Sequence, residues 1–386
     1  MPQLSRRTAV FTDSVIRRMT RVSLQYGAIN LSQGFPDFDP PAAVTGALAR
    51  AAAEGPHQYA VTWGAADFRA ALAAKQSRFM GYPIDPESEV VVTCGSTEAM
   101  MCAVLSVTNP GDKVIVFSPF YENYAADAIL SDAEPIYVPL VPPDFHFDPD
   151  VLEAAFRQGA RALILCNPSN PCGKVFTRAE LECIAALAGR YDAFVITDEV
   201  YEHIVYAPSE HVYFSALPGM KQRTLCCSSL SKTYSITGWR LGYILSTPEI
   251  IDTCRKVHDF LTVGAAAPLQ AAAVAGLQLP DSYYEELRGT YTHKRDLFCR
   301  GLADIGLHFT MPQGAYYVLA DIAPLAKGRG DTEFCLWLAE EIGVGAVPGS
   351  SFFREDVHDL IRFHFAKKDE TLYAALNRLE KLKAYL

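Results

Sequence analysis

The chain of 386 residues carries 34 Lys and Arg against 44 Asp and Glu, a formal net charge of -10 at pH 7, and so lacks the excess of positive charge on which nucleic-acid binding draws. Half of its residues are hydrophobic and a fifth are charged, the balance of a folded globular protein and not of a disordered or fibrous one. The length suffices for one large core with a smaller companion, and ten cysteines without a CxxC pair indicate reduced thiols and no metal site.

The first residues, Met1 to Arg21, hold early arginines but no apolar leader core, and no later segment reaches the roughly 20 apolar residues of a membrane span, so cytoplasmic residence is expected. Up to Pro41 the chain shows no core-forming pattern of its own. Residues 1–41 are therefore expected to form an arm that packs on the C-terminal part or on a second subunit. From Ala42, short β-rich runs alternate with helical stretches, which predicts an α/β fold: a mostly parallel sheet sandwiched by helices over 42–280. Strands are expected at Glu89–Thr93, Lys113–Phe117, Ala162–Cys166, Ala193–Thr197, Thr224–Cys227 and Leu241–Leu245. Helices are expected over Ser96–Val107, stopped by Asn109-Pro110-Gly111, and over Arg178–Arg190. Past Leu279-Pro280 a polar helix over Ser282–Leu302, strands at Ala315–Asp321 and Leu360–Phe365, and a closing helix over Glu370–Leu386 predict a smaller α+β domain, 281–386.

Open α/β sheets bind ligands beyond the carboxyl ends of their strands. Polar clusters stand there: Gly95-Ser96-Thr97, Ser118-Pro119-Phe120-Tyr121, the run from Asn167 to Pro171, Asp198-Glu199-Val200-Tyr201, and Ser228 to Lys232. Lys232, among small hydroxyl residues and eight positions before Arg240, is an amine beside an anion-binding cluster, suited to form a Schiff base and to serve as a base at lowered pKa. Taken alone it also reads as a solvated loop lysine, or as the Ser-x-x-Lys pattern of some hydrolases. Asp198 ends an apolar strand, where a carboxylate needs a cationic partner; a helix cap or a structural ion pair would answer the same need. Ser96 and Thr97 offer hydroxyls at a helix start to a phosphate, or simply cap it with Glu98 behind. Tyr121 reads as a stacking ring or as packing, and Asn170 as an amide donor or a turn former.

The ordered set Asn167-Pro168-Ser169-Asn170-Pro171-Cys172-Gly173, Asp198-x-x-Tyr201, Ser229-x-x-Lys232 and Gly238-Trp239-Arg240-Leu241-Gly242 resembles the class I aminotransferases of the aspartate aminotransferase superfamily. The resemblance runs from the Asn30-to-Asp37 segment to Arg362, and is nearest to the branch of kynurenine, methionine and prokaryotic aspartate aminotransferases. It implies pyridoxal 5'-phosphate held by Lys232, its ring nitrogen paired with Asp198, and its 3-oxygen hydrogen-bonded by Tyr201 and Asn170. It further implies Tyr121 stacked on the ring, Tyr124 buttressing Asp198, and the phosphate gripped by Ser96, Thr97, Ser229 and Arg240. Tyr59 would reach the phosphate from the second subunit of a homodimer with shared sites. Arg362 would fork onto the substrate carboxylate, helped by Asn170 and the Gly34 backbone. The implied reaction moves an amino group from an amino acid to a 2-oxo acid by a ping-pong mechanism. Two departures stand out: Cys172 occupies a position where threonine is common, and no arginine is identified for a distal substrate carboxylate. Other chemistry on the same scaffold, lyase or cyclising, and a non-catalytic regulator are the alternative readings.

Overall fold

The computed structural model describes the chain except for Met1, Gln3, Thr12 and Leu386. A seven-stranded sheet runs in the spatial order Val90–Thr93, Gly242–Leu245, Thr224–Ser229, Phe194–Asp198, Ala160–Cys166, Lys113–Ser118, Glu134–Pro139. All neighbours pair in parallel except around Gly242–Leu245, which is antiparallel to both of its partners. The strand expected at Leu241–Leu245 is thus present, with reversed direction. Glu134–Pro139 was not anticipated, because its burial is patchy at the sheet edge and its apolar run is correspondingly weak.

Alternate side chains enter opposite layers, as the pleat requires. Val91, Val114, Val116, Ile164 and Ile196 pack with Ser96–Val107, Asn123–Leu130 and Pro248–Thr262 on one face. On the other, Ile115, Leu163, Leu165 and Val195 meet Pro149–Arg157 and Arg178–Arg190, while Val90, Val92 and Leu245 meet Ala66–Met80 and Ala267–Leu277. Burial on both faces is why these strands read as unbroken apolar runs. The Arg178–Arg190 helix begins at a capping box in which Thr177 and Glu180 satisfy each other's backbone N–H groups.

A second, four-stranded antiparallel sheet orders Val347–Pro348, Leu360–His364, Tyr317–Asp321 and His308–Phe309. Asp281–Ile305, Asp331–Trp337 and Asp369–Leu379 share its core. The closing helix ends sooner than expected, with a 3-10 turn over Glu380–Ala384. The N-terminal segment is corrected more substantially. Val15–Gln25 is an amphipathic helix burying Ile16, Met19 and Ser23, one face at helical spacing. Ile29–Asn30 then pairs in parallel with Val344–Gly345, and Leu31 is bonded to both Gly345 and His364. This segment is stitched to the second sheet's core. It also carries Ser14 to Phe35 across the carboxyl ends of the large sheet.

Candidate active site

Those carboxyl ends open into a cavity of about 420 Å³, lined by Ser96, Thr97, Tyr121, Asn170, Asp198, Tyr201, Ser229, Lys232, Arg240 and Arg362, with Gly34. All the residues singled out from sequence meet there except Tyr59, which is 89% exposed and elsewhere on the surface. Sequence reading missed Ser14, Arg17, Gln33, Glu122 and Tyr317. Ser14, Arg17 and Gln33 arrive with the arm that crosses the sheet and Tyr317 with the second sheet, and no local pattern announces either approach.

Asp198 lies buried at the end of its strand, where desolvation pushes its carboxyl up to about 6. Against that, the Tyr124 hydroxyl donates to Oδ2 at 2.7 Å and the Val200 N–H to Oδ1 at 3.3 Å. The alternative reading, a carboxyl matched within the chain by an ion pair, is not seen: no Lys or Arg bridges Asp198 among the described residues. Glu202 holds the following turn from beneath, accepting from Lys75 at 3.0 Å, Gln76 at 3.0 Å, Tyr213 at 2.7 Å and Tyr243 at 3.3 Å. A charge that is fully hydrogen-bonded anchors a turn as an unpaired one could not. Tyr201 thereby stands over the cavity, its hydroxyl 2.8 Å from that of Tyr317. Burial holds both phenols above their ordinary pKa, so they remain donors near neutral pH.

The Lys232 amine is lowered to about 8, first by burial and then by Arg240 and Arg362, with Asp198 opposing. Its Nζ donates to the Gly34 carbonyl at 3.2 Å. Tyr316 donates to the same carbonyl at 3.0 Å, so this part of Gly34 serves the lysine. Gly34 has no room for a side chain, because a Cβ would fall 2.2 Å from the Tyr317 hydroxyl oxygen.

At one end, helix Ser96–Val107 starts on Gly95, at φ 83°, with no side-chain cap. Ser96 is therefore not the cap; Glu98 instead turns back to the Cys94 N–H and to His258. A Cβ on Gly95 would meet Arg240 Nη2 at 2.3 Å, so glycine is what lets that guanidinium close on the helix start. Free N–H groups, Ser229 and an arginine without an acid partner among the described residues make an anion cradle.

At the other end Arg362 is almost wholly buried. Its Nη1 donates to Asn170 Oδ1 at 2.7 Å and its Nη2 to the Ser32 carbonyl at 2.7 Å, while Nε is buried without a partner. An orphaned donor on a buried guanidinium calls for an acceptor from outside. Cys172, the departure noted in the turn, is buried and bonds Ser169 Oγ at 3.3 Å, a local substitute for a hydroxyl.

Residues 26–379 match the family model described as aminotransferase class I and II. The chain is 38% identical over 384 residues to a probable N-succinyldiaminopimelate aminotransferase of Mycobacterium tuberculosis, covering 96% of each. It is 38% identical over 383 residues to the methionine aminotransferase of Escherichia coli, covering 99% of this chain and 97% of that one. The solved M. tuberculosis structure superposes with a TM-score of 0.94 at 38% identity, covering 99% and 100%; aspartate aminotransferase of Thermus thermophilus with maleate gives 0.91 at 31%, also covering 99% and 100%.

Proposed function

Because the chain belongs to the class I and II aminotransferases and is a pyridoxal-phosphate-dependent enzyme of amino-group transfer, we propose that its cavity residues divide that reaction as follows. The residues fit the cofactor in charge and order. Asp198 lacks a cation, the Gly95–Arg240 cradle lacks an anion, and Lys232 is coupled to Asp198, Arg240 and Arg362 alike. A molecule with a protonated ring nitrogen, an aldehyde and a phosphate answers all three. When bound, pyridoxal phosphate supplies an electron sink for the pair released at the substrate α-carbon.

Asp198 would keep the ring nitrogen charged, with Tyr124 favouring its ionised form. Tyr201 and Asn170 would serve the ring oxygen, and Tyr121 the ring. Ser96, Thr97, Ser229 and Arg240 would hold the phosphate. Arg362, preset by Asn170 and Ser32, receives the substrate α-carboxylate at its free Nε edge and fixes the direction of the α C–H bond. Lys232 Nζ, a base whose pKa burial lowers to about 8, takes the α-proton. On this reading 42–280 forms the cofactor-holding part, and 281–386 with the 1–41 arm the part that brings Arg362 to it.

The observation that carries this reading is the meeting of Lys232, Asp198 and Arg362 in one cavity, from segments far apart in sequence. Mixing the holoenzyme with an amino acid and no acceptor is expected to convert the cofactor band to that of its amine form, with an equivalent of oxo acid released. Arg362→Lys should slow that conversion on the order of 10²–10³-fold, since an ammonium cannot fork onto a carboxylate. Ammonia released in place of the amine form would mean lyase chemistry.

A homodimer with shared sites is supported by an apolar patch. Tyr59 and Val61 lie beside Phe260, Leu261 and Val263, tied by His258 Nε2 to the Thr62 carbonyl at 2.8 Å, and Phe260 is 91% exposed. The patch borders the cradle, because Cys94 Sγ reaches the Gly264 carbonyl at 3.7 Å. Contiguous apolar exposure of this kind belongs in an interface. Light scattering is expected to give the mass of two chains, and a monomer active at full rate would remove Tyr59 from the site. Among the described residues no helix is long and apolar enough to cross a membrane. All ten cysteines are free, the state a reducing cytoplasm maintains.

A further inference from the structure

A nearly buried acid lies just behind the phosphate cradle and has no task in the reaction described above. Glu98 stands in the first turn of Ser96–Val107, three residues after Gly95, with its side chain 8% exposed. A carboxylate there stabilises the empty helix, but it opposes any anion brought to the same N–H groups. A phosphate on the cradle therefore requires the charge of Glu98 to be neutralised. Among the described residues Glu98 forms one ion pair, with His258 of helix Pro248–Thr262.

His258 is wholly buried, and its two ring nitrogens meet two different oxygens. Nε2 lies 2.8 Å from the Thr62 carbonyl, which can only accept, so Nε2 carries a proton. Nδ1 lies 2.6 Å from Glu98 Oε1, and a second proton occupies that contact. Its side is decided by what else Glu98 receives. The Thr262 hydroxyl donates to Oε1 at 2.8 Å and the Cys94 N–H to Oε2, and donors to both oxygens favour the carboxylate over the acid. The proton therefore sits on Nδ1, and the ring is an imidazolium with both N–H groups used. Burial by itself would lower the pKa of this imidazole, but the bond to Glu98 and its charge outweigh burial, and the net shift is upward. Glu98, which burial would raise, is lowered by the same partner.

We propose that His258 is a positioning residue for the cofactor phosphate: as a buried imidazolium it orients and neutralises Glu98, so that the helix start and Arg240 keep their positive field. This rests on the assignment of the phosphate to the Gly95–Arg240 cradle and deepens it. Arg240 closes on Gly95, and Glu98 turns back to Cys94, the residue before it, so acid and guanidinium flank the same turn. A carboxylate stripped of its counter-ion there would offset part of what Arg240 supplies. Loss of the imidazolium should therefore be repaired by removing the acid as well, a result that a packing role for His258 does not produce.

The test compares the full-length apoprotein with its His258→Gln, Glu98→Gln and doubly substituted variants, and uses Arg240→Gln as a control on the cradle. Equilibrium affinity for pyridoxal phosphate is divided by that for pyridoxal, which has the same ring and aldehyde but no phosphate. In His258→Gln this preference is expected to fall on the order of 10-fold, the worth of one charge at a helix start. In Glu98→Gln it should not fall, and in the double variant it should return close to the wild-type value. Neutron diffraction from wild-type crystals at pH 7, which needs no variant to fold, should place a proton on each ring nitrogen of His258 and none on Glu98. An unchanged preference in His258→Gln, a double variant no better than that single one, an equal loss in Glu98→Gln, or a proton on Glu98 overturns the proposal and leaves the cradle standing. An unchanged preference in Arg240→Gln would instead overturn the cradle assignment beneath it.

Discussion

Lys232→Ala is expected to lower turnover by about 10⁴-fold or more, the upper end of what one positioned base contributes, while the protein still folds and still takes up the cofactor. The size of the loss follows from the lack of a substitute. Among the described residues lining the cavity, Lys232 is the sole amine; the other cations are the guanidinium groups of Arg17, Arg240 and Arg362. A guanidinium stays protonated and cannot act as a base near neutral pH. The cavity phenols of Tyr121, Tyr124, Tyr201 and Tyr317 are all raised by burial, so none is ionised there either. Retained uptake follows because the phosphate cradle and Asp198 do not depend on the amine. The measurement is a single-turnover half-reaction, paired with borohydride treatment, which should fix the cofactor to the Lys232 peptide of the wild type and to no peptide of the variant. Near-normal turnover, or covalent fixation elsewhere, would remove Lys232 from its role. In the wild-type apoprotein the rate of trapping an added aldehyde should rise with pH through about 8, as the neutral fraction of this amine grows.

Asp198→Asn is expected to move activity and stability in opposite directions. Loss of the buried charge facing the ring nitrogen should weaken cofactor affinity by about 10²–10³-fold, the cost of removing one partner from a buried ion pair. Turnover should fall at least as far, because an uncharged ring nitrogen is a poorer electron sink. The apoprotein should become more stable at pH 7. Asp198 has its folded pKa raised from 3.8 to about 6, so its favourable contribution is full below the unfolded value and is lost as pH rises through about 6. At neutral pH the ionised group thus costs the empty fold on the order of 3 kcal/mol, which the amide avoids. An amide oxygen retains the Val200 N–H bond. Thermal melting of both apoproteins at pH 4 and pH 7 checks this: the gap should be wide at pH 7 and close toward pH 4. A variant less stable at both pH values would mean that Asp198 is a structural carboxylate. The expected pattern is that of a site whose chemistry is held at a cost to the fold, refunded by the cofactor.

The strands of the large sheet were legible because burial on both faces leaves a local mark, an unbroken apolar run such as Val90 to Thr93. The Arg178–Arg190 helix was legible as a helical run between two apolar strands, and the structure adds the Thr177 capping box that starts it. Two elements were not: Glu134–Pro139 is half-solvated, and Val15–Gln25 shows three arginines before its three buried positions are noticed. The direction of Gly242–Leu245 was likewise invisible, since strand polarity depends on where the preceding loop leads.

By itself the sequence determined the chemical parts: the amine at Lys232, the carboxylate at Asp198, the guanidinium groups at Arg240 and Arg362, and their placement after apolar strands, because those are properties of short segments. Which groups are free and which are engaged was decided by the tertiary structure alone. Arg362 has an unpartnered Nε because Ser32 and Asn170 arrive from 330 and 192 residues away to take its other donors. Arg17 faces the cavity because Ser14 finds Glu122 across 108 residues. Hydrogen-bond partners over such separations are set by how the arm and the two sheets pack, and a one-dimensional pattern does not record that packing.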